Sequence, residues 1–481
     1  MKRLKQLGQD SIIYGIGGIL ARSVSFILLP IYTRVFSPEQ YGSIEMLILI
    51  SGFVGSIMMM GLDSAQSMYF FKFKKNGKSK QIEIISSILQ WRIIWGAVIV
   101  VTATILTPSL YALFFQDSLN IEYFAIAFVS AFFAQILAQS IEIFRLLYRP
   151  WSFIAVTLAE IILAGLLILT CILVLDLGVV GFFVGSAVSG FIISLLSWFI
   201  IREYVDTTKF QYQWWPMLLK FGAPLLPAEA AFFMMSTLDR WFINSYYGAE
   251  ALGLFAVAAK FSLIVAAVVG AFRKAWWPIA MDSMNSDDGP ETFILLSRLY
   301  IALGSAGSIA LVMLMPWIVK IFTAPVYHAT WPVAAILVWQ SILYGFFLIG
   351  SAGLWKRERT DLNLYLMLCA AVVGVGLNML LVPPFGVLGA SVATVITYLF
   401  WNLITMYVSY RLWPIKIPIF VLAGHLSLGL AYTAIYILNG SEIYLTSNTL
   451  YSIGVSLIIF QLIFCVPAAL RAQIYVKVKE L

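Results

Sequence analysis

Four basic side chains lie inside apolar runs that are long enough to cross a lipid bilayer: Arg22, Arg92, Arg240 and Lys260. A basic residue at mid-depth in a bilayer costs about 2.5–3.5 kcal/mol on the insertion scale, so four unpaired residues cost on the order of 10 kcal/mol. That sum is comparable with the net stability of a whole domain. Their chemistry is therefore electrostatic, and each must face an acidic partner or an anionic ligand rather than lipid.

Five acidic residues also lie within the apolar runs and can serve as counter-ions. They are Asp63, Glu142, Glu160, Glu229 and Asp239. Carboxylates at such depth pair with basic residues or take up a proton or a sodium ion, and the sequence leaves both roles open. Glu229 and Arg240 share a face of one predicted helix, but their separation corresponds to about 16 Å along the axis. These two residues therefore cannot pair directly.

The depth of each cation within its run distinguishes the four. Arg22 lies near mid-span, with no easy route to either membrane surface, which favours a functional role. Arg92 and Lys260 lie nearer to span ends, where a long side chain can also extend to the interface. For Asp239 and Arg240, a structural pair with another span and a stripe that lines a cavity are both open.

The composition predicts a polytopic, all-α integral membrane protein. Of 481 residues, 62% are hydrophobic and 11% are charged, and the mean hydropathy is +0.94. A water-soluble domain has an apolar share of about 45–50%. Turn and charge signals divide the apolar runs into about fourteen spans. These cover residues 11–36, 42–71, 84–107, 122–147, 152–175, 179–201, 218–247, 251–280, 292–322, 330–355, 361–381, 386–411, 417–438 and 448–470.

Basic loop residues concentrate on one side of the membrane once the N-terminus is placed in the cytoplasm. The opposite side keeps only Arg34 and Lys320. This bias follows the positive-inside rule and predicts that both termini are cytoplasmic. It also accounts for the formal net charge of +7, so no nucleic-acid partner is predicted.

Two motifs recur in the same order at nearly the same offset. Gly178-Val-Val-Gly and Gly386-Val-Leu-Gly are 208 residues apart, and Phe36-Ser-Pro-Glu-Gln-Tyr-Gly42 corresponds to Tyr247-Gly-Ala-Glu-Ala-Leu-Gly253, 211 residues later. Six spans per half is an even number, so the two repeats are parallel. The predicted domains are an N-lobe at 1–201, a cytoplasmic connector at 202–219, a C-lobe at 220–412, and two additional spans with a cytoplasmic tail at 413–481.

The sequence shows no catalytic or metal-binding arrangement. Its three cysteines, Cys171, Cys369 and Cys465, are far apart inside apolar runs, and His328 and His425 are the only histidines. These positions argue against a disulfide framework and against a cysteine or histidine metal site. No glycine-rich phosphate loop is present. We therefore predict that the chain is not an enzyme and has no cofactor apart from a coupling proton or sodium ion.

Several motifs together resemble those of bacterial polysaccharide biosynthesis proteins. They are Arg22 in the first span, Leu29-Pro-Ile-Tyr-Thr-Arg34, the repeat motif ending at Gly42, Gly61-Leu-Asp63, Phe221-Gly-Ala-Pro-Leu-Leu-Pro227, Asp239-Arg240 and the motif ending at Gly253. This family comprises O-antigen and related lipid-linked oligosaccharide flippases of the multidrug, oligosaccharidyl-lipid and polysaccharide exporter superfamily. The resemblance covers the whole chain.

The resemblance implies a flippase of the bacterial inner membrane that moves undecaprenyl-diphosphate-linked oligosaccharide units for O-antigen, capsule or exopolysaccharide synthesis. Two lobes would alternate access to a central cationic cavity. The diphosphate would meet Arg22, Arg92, Arg240 and Lys260. Coupling or charge pairing would fall to the five acidic residues. The implied partners are the lipid-linked oligosaccharide, membrane lipids, a polysaccharide polymerase and a chain-length regulator.

Three alternatives remain open at this point. A multidrug exporter of the same fold handles organic cations, for which an acidic cavity is better suited than a basic one. A non-transporting scaffold of a polysaccharide assembly complex would not need buried charge in both lobes. A membrane glycosyltransferase normally needs sizeable polar loops, which this sequence lacks.

Overall fold

The computed structural model describes residues 26–73, 77–114, 121–206, 208–284, 286–439 and 443–465. All regular secondary structure among these residues is helical. Ten of the described helices are long and apolar enough to cross a membrane. The predicted all-α membrane fold is therefore confirmed, and the chain is a multi-pass membrane protein.

The chain divides into two compact units, Met1–Gly253 and Leu254–Leu481. The helices of the first unit, in chain order, are α1 Phe26–Val35, α2 Pro38–Met59, α3 Leu62–Lys72, α4 Lys78–Phe114, α5 Glu122–Leu146, α6 Pro150–Leu173, α7 Gly178–Ile200, α8 Trp215–Gly222 and the first part of α9 Leu226–Ser283. Helix α5 packs against α2, α4 and α7, and α7 also packs against α6.

The second unit holds the rest of α9 and the remaining described helices. These are α10 Gly289–Phe322, α11 Trp331–Gly350, α12 Ala352–Lys356, α13 Thr360–Leu412, α14 Ile419–Leu438 and α15 Ile443–Cys465. Helix α10 packs against α11, α14 and α15. Buried polar groups reinforce this packing, since Trp339 donates a 3.0 Å hydrogen bond to Thr433 and Tyr436 donates one of 3.0 Å to the carbonyl of Met313.

Two long helices are broken by a glycine with positive φ. In α9 the break is at Gly248 (φ 77°, ψ −175°), and in α13 it is at Gly386 (φ 57°, ψ −136°). Only glycine adopts such extended positive-φ backbone readily. Each of these helices therefore carries two of the predicted spans. The total of fourteen spans stays a prediction, because part of the first and of the last predicted span lies outside the described residues.

Local signals explain where α2 begins and ends. Ser37 accepts a hydrogen bond from the Gln40 amide while the Gln40 side chain accepts one from the Ser37 amide, and Pro38 occupies the first turn. This is a capping box with a favourable proline. At the other end Met60 and Gly61 both have positive φ. The break lies within the predicted second span and starts α3 just before Asp63.

The backbone repeats at further positions that the sequence motifs did not reveal. Tyr148 and Glu358, 210 residues apart, both have positive φ, at 53° and 55°. In each case the amide of the next residue bonds the carbonyl five residues earlier, Arg149 to Phe144 and Arg359 to Leu354, both at 2.9 Å. These are matching helix C-caps. Gly178 and Gly386 also both have positive φ. The two-fold repeat is thus visible in the backbone.

The boundary between the compact units lies at Gly253, beyond the predicted connector at 202–219. The residues that follow this connector, up to Gly253, pack with the first unit. The two compact units are defined by packing contacts, whereas the predicted lobes are defined by repeated motifs. The lobes therefore stay a prediction about the repeat.

The connector is bonded to the start of α4. Ser86 accepts from the Asp206 amide at 2.8 Å, Ser87 donates to the Gln211 carbonyl at 2.9 Å, and Gln90 donates to the Lys209 carbonyl at 2.7 Å. At the exposed edge, Lys78 donates to Glu203 at 3.2 Å, and this bond lowers the pKa of the Glu203 carboxyl. The connector is therefore held against the first unit rather than forming a slack linker.

Candidate functional site

Arg92 and Asp63 form an ion pair inside the first unit, between α4 and α3. The Arg92 side chain is 1% exposed, whereas that of Asp63 is 33% exposed. Arg92 also donates a 2.6 Å hydrogen bond to the carbonyl of Gln135 on α5. The break at Met60–Gly61 makes Asp63 part of the first turn of α3, where a carboxylate is favoured. Arg92 is thus a buried cation whose carboxylate partner is partly accessible.

A close backbone approach fixes this region against the end of α8. A Cβ atom on Gly61 would overlap the carbonyl oxygen of Gly222, and one on Gly222 would lie 2.6 Å from the carbonyl oxygen of Met60. The two segments pack without intervening side chains. Asp63 follows Gly61 by two residues and Glu229 follows Gly222 by seven, so both carboxylates lie on the chain segments that continue from this contact.

Uncharged amides and one carboxyl oxygen line the surroundings of this pair. Gln139 donates to Gln66 at 3.0 Å and to the carbonyl of Ile85 at 3.2 Å. Among the described residues, Oε2 of Glu229, Nε of Arg92 and Oε1 of Gln135 are buried without a hydrogen-bond partner. Buried polar atoms of this kind are uncommon in folded proteins. The region is therefore a polar cluster within the membrane-spanning part of the unit.

Arg240 forms a second buried ionic cluster. Its Nε donates to Oε1 of Glu45 at 3.1 Å, and its Nη1 donates to Oδ1 of Asp239 at 3.1 Å. Side-chain exposure is 16% for Arg240, 6% for Glu45 and 5% for Asp239. The sequence left two roles open for Arg240, a structural pair with another span or a place in a cavity lining. The structure shows an ion pair with another helix, α2. Phe233 on the same segment contacts Phe53 of α2, with ring centroids 5.9 Å apart.

Glu142 and Glu160 lie in separate surroundings. Glu142 accepts from Arg145 at 2.7 Å and from Ser67 at 3.1 Å. Glu160 on α6 accepts from Ser189 on α7 at 3.0 Å. The structure thus places the five acidic candidates in four settings, with Asp63 and Glu229 in the same one.

Lys260 and Arg22 are the other two predicted cations. Lys260 lies on α9 beyond Gly253, in the second unit, and is partly buried. Arg22 lies outside the described residues. The predicted roles of Arg22, Arg92, Arg240 and Lys260 toward a diphosphate stay predictions.

The sequence reading missed Glu45 and the three glutamines. Glu45 was detectable as an acid inside an apolar run, three residues after the Gly42 motif. Its partner Arg240 is 195 residues away, a pairing that no local pattern predicts. Gln66, Gln135 and Gln139 carry no charge and therefore gave no signal. Within the described ranges, no group of three or more histidine, cysteine or acidic side chains could hold a metal ion.

Comparison with known proteins places this architecture in a family. The model of the polysaccharide biosynthesis protein family matches residues 7–284, more than half of the chain. The chain belongs to the polysaccharide biosynthesis protein family. The family resemblance stated from the motifs is thereby confirmed.

Two relatives come from Haemophilus influenzae (strain ATCC 51907 / DSM 11121 / KW20 / Rd). "Lsg locus putative protein 1" is 23% identical over 282 residues, and an "uncharacterized membrane protein" is 26% identical over 289 residues. Each match covers 58% of this chain and 66% of the relative. The chain therefore spans slightly less than two thirds of the length of these relatives.

Solved structures share the fold across most of the chain. The lipid II flippase MurJ in an inward closed conformation has a TM-score of 0.68 and 16% identity, covering 94% of this chain and 98% of MurJ. An inward-facing multidrug resistance MATE family transporter of the MOP superfamily has a TM-score of 0.64 and 17% identity, covering 81% of this chain and 94% of the transporter. These neighbours are transport proteins rather than enzymes, in agreement with the non-enzymatic prediction.

Proposed function

We propose that the protein is a flippase that moves a lipid-linked oligosaccharide, carried on undecaprenyl diphosphate, across the bacterial inner membrane. The observation that carries this proposal is membership of the polysaccharide biosynthesis family in a chain whose fold is shared with a lipid II flippase and with exporters. Polysaccharide synthesis needs its lipid-linked units on the far side of the membrane, and this fold is one that transports.

The ionic clusters provide chemistry suited to a diphosphate. A guanidinium group binds phosphate oxygens through paired N–H donors and stays charged inside a membrane protein. Arg92 is bound to Asp63, whose side chain is one-third exposed. An incoming anion can therefore replace the Asp63 carboxylate without a fully buried carboxylate having to move into solvent. Arg22, Arg240 and Lys260 are further proposed headgroup contacts. The polyprenyl chain would remain in lipid.

The proposed mechanism is alternating access of the two repeat halves, with both termini in the cytoplasm. Proton or sodium uptake at Asp63, Glu229 or Asp239 would drive release, because neutralising a carboxylate changes its competition with the diphosphate for a cation. O antigen, capsule and exopolysaccharide are all compatible end products. A polymerase and a chain-length regulator are the proposed protein partners.

The direct test is flipping of a fluorescent undecaprenyl-diphosphate oligosaccharide in vesicles that contain the purified protein. We expect flipping by the intact chain and a loss of at least about tenfold in Arg22→Ala and Arg92→Gln, since each removes a contact worth about 1.5–3 kcal/mol. Arg34→Gln, which removes an exposed arginine, is the control and should flip normally at matched insertion.

A drug exporter of the same fold is the second candidate, because multidrug transporters share the architecture. The same vesicles distinguish the two by uptake of a fluorescent organic cation. Cation transport without lipid flipping by the intact chain would replace the flippase proposal. If neither substrate moves, the scaffold alternative is favoured.

A further inference from the structure

The two matching helix C-caps, 210 residues apart, carry different side chains although their backbones agree. The two residues before the first cap are Leu146, which belongs to an apolar core cluster of the first unit, and Leu147, which packs against that cluster. The corresponding residues before the second cap are Lys356 and Arg357, both exposed. The repeat therefore shows that this turn does not require basic residues for its conformation.

Lys356 and Arg357 lie against the end of α13. The ammonium group of Lys356 lies over the Trp413 ring, 3.9 Å from its centroid. Nε of Arg357 donates a 3.2 Å hydrogen bond to the carbonyl of Leu412. The residue before Leu412 is Arg411, a third exposed cation. The turn and the end of α13 thus bring three basic side chains to one surface of the second unit.

A close backbone contact holds α12 in this position. The amide of Gly353 donates a 2.8 Å hydrogen bond to Oγ of Ser409, and a Cβ atom on Gly353 would overlap the carbonyl oxygen of Ser409. Gly353 precedes the turn by three residues, and Ser409 precedes Trp413 by four. The basic surface is therefore positioned by the backbone rather than by long side chains alone.

The three cations differ from a neighbouring arginine in their partners. Arg359, in the same turn, donates to both carboxylate oxygens of Asp361 at 2.9 Å. In the part of the chain that the structure describes, no carboxylate forms an ion pair with Lys356, Arg357 or Arg411. The positive-inside rule accounts for basic residues on this side of the membrane. It does not account for cations that are held in place by a ring, a carbonyl and other neutral groups.

The local charge and the nearby tryptophans fit a membrane–water interface. Residues 356–361 and 411–416 together contain five basic and two acidic side chains, one of which is Glu358 in the turn itself. Trp355 meets Trp277 edge to face, with ring centroids 5.0 Å apart. Tryptophan is enriched at the level of the lipid headgroups, and basic pockets between membrane helices bind acidic headgroups. The anion that a bilayer supplies at this level is a phospholipid phosphate.

We propose that Lys356 and Arg357 bind the phosphate of an anionic phospholipid, such as phosphatidylglycerol, from the leaflet predicted to face the cytoplasm. The Lys356 ammonium can donate to phosphate while it stays over the Trp413 ring. Arg357 uses Nε for the carbonyl of Leu412, which leaves Nη1 and Nη2 for two oxygens of one phosphate. Arg411 adds positive charge beside this site. The proposal does not depend on the proposed transport function.

The test is photocrosslinking in phosphatidylcholine vesicles that contain the purified full chain. The probe is phosphatidylglycerol with a diazirine next to its glycerol backbone, at a low mole fraction, and mass spectrometry measures the crosslinked yield on residues 353–361 and 407–416. Phosphatidylcholine with the same diazirine is the neutral reference. We expect the anionic probe to crosslink at least about tenfold more, because each basic residue near the surface attracts an anionic lipid. Equal yields would overturn the proposal.

The first repeat supplies the sharpest variant. Lys356→Leu combined with Arg357→Leu restores the residue types of the first turn and should lower the yield of the anionic probe to that of the neutral reference. Lys78→Gln combined with Lys80→Gln is the control. It also removes two positive charges, but each of these lysines is paired with a glutamate, so the yield should stay unchanged. An equal decrease in the control would assign the effect to diffuse surface charge and refute the site.

A polar variant covers the case in which the double leucine variant is not monodisperse. Lys356→Gln combined with Arg357→Gln removes the same charges and leaves hydrophilic side chains at these exposed positions. The same loss of crosslinking is expected. A yield equal to that of the intact chain, in whichever of the two variants is folded, would refute the site.

Competition identifies the source of the bound phosphate. Unlabelled phosphatidylglycerol should displace the probe, whereas inorganic phosphate in large molar excess should not. Equal displacement by inorganic phosphate would show a site for any phosphate and overturn the lipid assignment. Displacement by a short-chain prenyl diphosphate, but not by phosphatidylglycerol, would assign the turn to the proposed transport substrate instead. Crosslinking needs no flipping, so a failed flippase assay with unchanged crosslinking counts against the proposed function alone.

Discussion

Arg92 and Arg240 are both buried arginines in the first unit, but their partners differ. Arg92 is paired with Asp63, which is partly open to the surroundings, whereas Arg240 contacts two carboxylates that are themselves buried. When an anionic ligand replaces a carboxylate beside an arginine, the displaced carboxylate must find solvent or another partner. A partly exposed carboxylate does this more readily than a buried one. We propose from this comparison that Arg92 is suited to ligand exchange and that Arg240 is suited to holding two helices together.

The largest expected loss of stability comes from replacing Arg240. Arg240→Met leaves Glu45 and Asp239 buried without this cation, and loss of one partner of a buried pair costs about 3–5 kcal/mol. Thermal unfolding of the detergent-solubilised protein measures the loss. Arg34→Met, at an exposed arginine, is the control. A loss no greater than in the control would show that the cluster is not structural.

A smaller loss is expected from the partner of Arg92. Asp63→Asn removes the carboxylate but retains an oxygen acceptor, while Arg92 keeps its bond to the Gln135 carbonyl. The expected cost is about 1.5–3 kcal/mol, the range for a hydrogen bond with a charged group. Ser64→Asn, at the exposed neighbour on α3, controls for the substitution. If Asp63→Asn destabilises more than Arg240→Met, the proposed contrast is reversed.

A ligand experiment sharpens the comparison directly. A soluble short-chain prenyl diphosphate at about ten times its Kd should stabilise the intact protein by about 1.4 kcal/mol. The stabilisation should disappear in Arg92→Gln and persist in Arg240→Lys, which keeps a cation between the two carboxylates. The inverse pattern would assign the exchange site to Arg240. Inorganic sulfate at the same concentration tests whether any anion suffices.

The smallest effect comes from a third pair with an exposed arginine. Arg145 is bonded to Glu142 at 2.7 Å, but its side chain is 57% exposed. Exposed pairs typically contribute about 0.2–1 kcal/mol, so Arg145→Gln should shift the unfolding temperature only slightly. A cost as large as that of Asp63→Asn would mean that exposure does not rank these pairs.

The fold was largely predictable because its signals are local. Apolar runs predict membrane helices, and the charge of the loops predicts topology without knowledge of any contact. The matching caps at Tyr148 and Glu358 escaped the motif search for a physical reason. Backbone conformation at a C-cap tolerates different side chains, so Tyr-Arg-Pro and Glu-Arg-Thr adopt the same turn while their sequences differ.

The site was less predictable because its contacts are distant in sequence. Depth in an apolar run correctly marked Arg92 and Arg240 as residues that need partners. Depth alone does not identify which acidic residue pairs with which cation, and it gives no reason to pair Arg240 with Glu45, 195 residues away. Which pair forms depends on helix rotation and packing, and the break at Met60–Gly61 that places Asp63 cannot be read from hydropathy.

The inclusion of residues up to Gly253 in the first unit has a consequence for biosynthesis. During synthesis the chain emerges from its N-terminus, and domains generally fold as units in that order. When residue 219 has just been made, Gly42 lacks Gly253, whose backbone it contacts, and Glu45 lacks Arg240. The first predicted six-span half must therefore wait in the membrane for Arg240 in the seventh predicted span and Gly253 in the eighth before its packing is complete. During that interval, the translocation machinery or a chaperone has an unfinished helix surface to protect.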